Sequence, residues 1–172
     1  EVMDTGLEMV NGKAIWDSHN IISLGIASDG RLHLAYDMHA HDLRYATTPV
    51  GRATGSDWHV FNPERDSLNS NSAGLTRVTY PRFINNGDDM LMTFRERGSG
   101  NGDIELVRYD SSAALPHRWV DENGNTSSDL TQTIISGAGT YINPIDGSTS
   151  TTRNAYLNGL DVDQGGRIHM TW

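Results

Sequence analysis

The 172-residue chain has no cysteine and only one lysine, Lys13. The missing cysteines rule out a disulfide scaffold and a zinc–thiolate site, and they leave the redox compartment undetermined. With Lys13 the only lysine among thirteen cations, all the others are arginines. An arginine fork meets a carboxylate or sulfate at two points, where an ammonium is a single point charge. One reading of this bias is an acidic, lysine-poor surface suited to salty water. The other is an arginine-lined pocket inside an acidic shell.

Long apolar runs are also missing. No window approaches the roughly 20 residues that a spanning helix needs. The opening Glu1-Val2-Met3-Asp4 lacks the basic and apolar regions of a signal peptide, so a soluble, already processed form with no membrane partner is expected. A net charge of −9 opposes general nucleic-acid binding, which needs a basic stripe against the phosphates. Helical stripes are absent as well, and turn glycines with β-branched and aromatic alternation take their place.

What is present reads as an all-β chain. Ile22, Leu24 and Ile26 alternate, Ser28-Asp29-Gly30 turns, and Leu32, Leu34 and Tyr36 alternate before Leu43-Arg44-Tyr45 opens a third strand. That order is an antiparallel meander. Gly30-Arg31-Leu32-His33-Leu34-Ala35-Tyr36 then recurs as Gly166-Arg167-Ile168-His169-Met170-Thr171-Trp172. A weaker copy lies between them, with Met90, Met92 and Phe94 for the apolar positions, Val107-Arg108-Tyr109 for the third strand, and Trp119 matching Trp58.

Four-stranded repeats are the signature of propeller blades, which bury their faces by stacking on neighbours. The units fall at about 15–60, 76–120 and 155–172, with 121–150 as a loop insertion rich in Gly, Ser, Thr and Asn. Propellers close with about 4–8 blades, so units of this length make residues 1–172 a partial β-propeller of two to three blades.

Four stretches carry candidate chemistry: Ser18-His19-Asn20-Ile21, Asp37-Met38-His39, Thr79-Tyr80-Pro81-Arg82-Phe83, and Phe94-Arg95-Glu96-Arg97 with the glycine-rich run behind it. His19 precedes the first strand of the first unit and His39 follows its second. Tyr80 lies on the first strand of the second unit, and Arg95 follows that unit's second strand. Strand ends near a propeller's channel are where sites form. The plain alternatives are a solvated turn histidine, a core tyrosine on an edge strand before Pro81, and an arginine paired with Glu96. His33 and His169 occupy equivalent repeat positions and read as blade architecture. No helix follows Gly98-Ser99-Gly100-Asn101-Gly102, so it reads as a hairpin, not a phosphate cradle.

Over roughly residues 15–172 these motifs resemble the neuraminidase-repeat-like, BNR repeat-containing propellers that include the ulvan lyases. The resemblance rests on His19-Asn20-Ile21 before Gly25-Ile26 and Asp29-Gly30, His39 before Leu43-Arg44-Tyr45, Tyr80-Pro81, and Arg95 before Gly98 to Asp103 and Arg108-Tyr109. It implies a seven-bladed parent and a polysaccharide lyase acting by β-elimination on a sulfated algal polysaccharide containing uronic acid. The parent would be a bacterial protein, secreted, periplasmic or on the cell surface, and a monomer at full length. By the same resemblance His19, His39, Tyr80 and Arg95 are catalytic, with Arg95 on the uronate carboxylate, His19 or Tyr80 as base and Tyr80 as acid. Asn20, Arg82 and Arg97 would bind substrate. No cofactor is required for this chemistry, and a structural calcium or zinc ion is left open.

The alternatives are a related rhamnose–glucuronate substrate, a sialidase-like propeller glycoside hydrolase, and a non-catalytic carbohydrate-binding propeller. Ser28-Asp29-Gly30 matches neither the spacing nor the tryptophan of the Asp-box, Ser-x-Asp-x-Gly-x-x-Trp, and this ranks hydrolysis below elimination.

Overall fold

The computed structural model describes residues 19, 21–53, 58–60, 75, 77–97, 101–114, 118–121, 123–126, 130–153 and 155–172. Every regular element among them is a strand, and every strand pairing is antiparallel.

The first sheet joins β1 (Ile22–Ile26), β2 (Leu32–Tyr36), β4 (Tyr45–Thr47) and β5 (His59–Val60) in that order. Its first hairpin turns through Gly30 at φ 74°, a left-handed conformation that glycine adopts without Cβ strain, while Asp29 Oδ1 accepts the Arg31 amide at 3.0 Å. A four-stranded meander of this order is a propeller blade.

The second sheet is larger. Its path is β10 (Gln132–Ile135), β8 (Ile104–Asp110), β7 (Asp89–Glu96), β6 (Val78–Asn86) and β3 (His39–His41), with β9 (Trp119–Val120) also paired to β8. Met90 to Arg95 are all buried, as expected of a central strand covered on both faces. Two small hairpins follow: β11 (Ala138–Ile142) with β12 (Thr149–Thr152), and β13 (Gly159–Val162) with β14 (Ile168–Thr171). The 121–150 stretch therefore contains β10, β11 and the start of β12. β11 is exposed at every position, so its residues carry none of the apolar alternation that marks a half-buried strand.

Two apolar layers hold the sheets together. Ala27, Ala35 and Tyr45 of the first sheet share one cluster with Val78, Met90, Met92, Phe94, Tyr109 and Trp119 of the second. The contact is close: a Cβ on Gly25 would lie 2.7 Å from both Met90 Sδ and Phe83 Cβ. On the other side Ile104, Ile135 and Ala155 form a smaller cluster, with Ile134, Leu157 and Met170 packed against it.

A buried polar network spans the first interface. Asp29 accepts the Tyr109 hydroxyl at 2.7 Å and pairs with Arg118. His33 is fully buried, its Nδ1 bonded to the Tyr45 hydroxyl and its ring edge-on to Tyr109 at 4.4 Å. Burial pushes the His33 imidazole down to about 3, with Asp29 opposing the shift and Arg31 and Arg118 adding to it. Burial likewise pushes the Tyr109 phenol up to about 12. His33 is thus part of the blade's architecture, whereas His169, its counterpart in the repeat, is exposed and lies 3.1 Å from Asp163.

Candidate functional site

The site is assembled by strand register. His39 on β3 pairs with Thr79 on β6, and Thr79 pairs in turn with Arg95 on β7. His39 follows β2, as the sequence reading has it, and opens a short strand that leaves the first sheet and closes the edge of the second. It becomes a strand only through a non-local pairing with β6 that short-range patterning does not encode. Arg95 lies inside β7, one residue before its end. The reading that it follows this strand is corrected, because β7 keeps its pairing with β6 and β8 through Arg95.

Both β3 and β6 are irregular here. The pairing of β6 with β7 shifts register between Thr79 and Arg82, and that of β3 shifts between His39 and His41. The Ala40 amide donates to Thr79 Oγ1 at 2.8 Å within this irregular edge. Bulges of this kind redirect side chains and are enriched beside active sites. Asp37, Ala40, Tyr80 and Arg97 are the non-glycine residues with positive φ among the described residues, at 55°, 58°, 53° and 71°. Each is one of the candidate residues or lies within two positions of one. Tyr80 is held so directly before Pro81, where the α regions are further disfavoured. Left-handed backbone costs roughly 1–2 kcal/mol per residue, so the surrounding structure must impose it.

This backbone gathers the rings. His19 and His39 stack with centroids 4.5 Å apart, and Tyr80 lies 6.1 Å from His19 and 6.4 Å from His39. The Arg95 guanidinium carbon stands 5.1 Å from the Tyr80 centroid. Arg95 is only 2% exposed, and its Nε donates to the Arg97 carbonyl at 3.3 Å. His19 is exposed, and His39 and Tyr80 are half-buried. The four groups therefore form one cluster that grades from an open histidine to a buried cation.

The other candidates fall differently. Arg82 Nη1 donates to the Asn158 carbonyl at 2.9 Å, tying β6 to the chain that enters β13. Arg97 is exposed, with Nε 3.4 Å from Glu96 Oε1. Asn20 lies outside the described residues.

One residue that the sequence reading missed joins the cluster. The Tyr156 ring lies 4.1 Å from the Arg95 guanidinium carbon and 6.3 Å from the Tyr80 ring. No motif surrounds it. The signal available was a lone aromatic between Ala155 and Leu157 at the start of the third repeat unit.

Glu96, Asp103 and Glu105 bring ligand oxygens within 4.8 Å of one another. An all-carboxylate set suits a hard cation such as calcium rather than zinc. These carboxylates already have protein partners: Asp103 Oδ1 accepts Ser136 Oγ at 3.2 Å and the Gly137 amide at 2.7 Å, and Glu105 Oε1 accepts Thr133 Oγ1 at 2.8 Å.

Blade-type antiparallel sheets packed on one another through a shared apolar core define the class as a partial β-propeller. Residues 3–172 match the family described as BNR repeat-containing family member, and the chain belongs to that family. Its relatives include the long isoforms of ulvan lyase from Glaciecola sp. (strain KUL10), 24% identical, and from Pseudoalteromonas sp. (strain PLSV), 25% identical. Each alignment covers 64% of this chain and 14% of the relative, so the chain spans about a seventh of the length of these proteins. Among solved structures, an exo-1,5-α-L-arabinanase from a bovine ruminal metagenomic library aligns with a TM-score of 0.44 and 13% identity, covering 91% of this chain and 59% of that one.

Proposed function

We propose that this chain carries the reacting centre of a carbohydrate-active propeller that cleaves a sulfated, uronate-containing polysaccharide of the ulvan type by β-elimination. The observation that carries this reading is the meeting of two histidines, a tyrosine and a buried arginine in one cluster, with ring separations of 4.5–6.4 Å. The activity named for the relatives supports it, as does the crowding of left-handed backbone around these residues.

In this reaction a base removes the C5 proton of the uronate, the electron pair forms the C4–C5 double bond, and the 4-linked oxygen leaves as it gains a proton. The transition state puts negative charge on the carboxylate, and Arg95 in its dry setting offers a two-point partner for that charge. Tyr80, beside Arg95, protonates the leaving oxygen. His19 or Tyr80 takes the C5 proton, and His39 fixes the His19 ring by stacking on it. Glucuronate and iduronate present that proton on opposite faces, so the two bases can serve different epimers. A substrate of this size is met outside the cell, and a secreted, periplasmic or surface location belongs to the same proposal.

The test is to mix the protein with ulvan and follow the ultraviolet absorbance of unsaturated uronate. A steady rise is expected. Binding or depolymerisation without that rise would leave a carbohydrate-binding propeller or a hydrolase in its place.

A further inference from the structure

We infer that Tyr156 is a positioning residue that holds Arg95 in the orientation from which its fork can receive a uronate carboxylate. This rests on the lyase reading for the identity of the sugar, but not for the contact itself. The Tyr156 ring is 4.1 Å from the Arg95 guanidinium carbon, nearer than Tyr80 at 5.1 Å. The two tyrosines are 6.3 Å apart with their planes tilted by 45°, so they meet the cation from different sides. Rings approaching a guanidinium from two directions restrict how it can turn, and cation–π attraction is worth most where water is excluded. Arg95 is 2% exposed.

The chain fixes Tyr156 from both sides. Ala155 is fully buried against Ile104 and Ile135, and Leu157 packs on the same cluster. The Asn158 amide donates to the Thr171 carbonyl at 2.8 Å, while its own carbonyl accepts Arg82 at 2.9 Å. Between these anchors Tyr156 stays 43% exposed, so its ring belongs to the site and not to the core. The third repeat unit thus contributes to the cluster built on the second sheet, and Arg82, expected on sequence grounds to bind substrate, secures the segment that delivers the ring.

The experiment measures binding, by calorimetry on the natural full-length protein, of ulvan oligosaccharides and of the same oligosaccharides with their carboxyl groups reduced to alcohols. Product absorbance is recorded in parallel. Wild type and Tyr156→Phe should both prefer the carboxylated form. Tyr156→Ala and Tyr156→Leu should lose about tenfold of that preference while binding the reduced form as before, since only the grip on the carboxylate depends on the ring. Retained binding of the reduced form also shows that the variants fold.

The inference is overturned if Tyr156→Leu or Tyr156→Ala keeps the full preference, or if Tyr156→Phe loses it as they do, which would make the hydroxyl the active group. It is equally overturned if wild type shows no preference. Intact preference in a wild type that yields no unsaturated product would overturn the lyase reading alone.

Discussion

Tyr80 has a left-handed backbone, a proline immediately after it and a cation over its ring. If it protonates the leaving oxygen, Tyr80→Phe should lower turnover of ulvan by about 10²-fold or more, the usual contribution of a positioned proton donor, with little change in binding. Steady-state kinetics that retained more than about a tenth of the wild-type rate would contradict a proton-transfer role. Arg95 makes a different demand. Arg95→Lys keeps the charge but replaces a planar fork already engaged with the Arg97 carbonyl, and most of the activity should be lost. Near-normal kcat/KM in that variant would mean that another cation neutralises the carboxylate.

At the scale of elements, the site depends on how closely the sheets approach. Gly25 lies where β1 meets β6 and β7, and a methyl group there would press on Met90 Sδ and Phe83 Cβ at 2.7 Å. Gly25→Ala should therefore destabilise the protein by about 1–3 kcal/mol, the cost of overpacking a dense interior, as read by chemical denaturation. An unchanged midpoint would show that the interface yields freely. The elements legible in sequence were those with local signatures: the alternation of β1 and β2 around Ser28-Asp29-Gly30, the copy in β7 and β8, and the Gly-Arg-Ile-His repeat in β14. Strands built of Thr and Ser, such as β12, carry no such apolar signature. Nor does β3, whose His39-Ala40-His41 becomes a strand only because β6 is there to pair with it. Tyr156 was illegible for the same reason: its partner Arg95 is brought to it by tertiary packing, not by any spacing along the chain.

For the whole molecule, the buried network between the sheets sets how stability responds to acid. Folding holds the His33 imidazole near 3, whereas in the unfolded chain it titrates near 6.5. Between those values the unfolded state binds a proton that the folded state refuses, so stability that is complete above about pH 6.5 falls as the pH drops toward 3. The slope attributable to this one group approaches about 1.4 kcal/mol per pH unit. Denaturation midpoints measured across that range should decline for wild type and decline less steeply for His33→Gln, whatever that variant does to absolute stability. Parallel curves for the two proteins would place the acid sensitivity elsewhere.

The central claim is that the cluster of His19, His39, Tyr80 and Arg95 breaks a uronate linkage by elimination rather than by adding water. Cleavage of ulvan in heavy-oxygen water, with the products weighed by mass spectrometry, tests this most directly. Elimination predicts fragments whose new ends carry an unsaturated uronate and no heavy oxygen from the solvent. One solvent oxygen incorporated for each bond cut, with no unsaturated end, would make the protein a hydrolase and contradict the account.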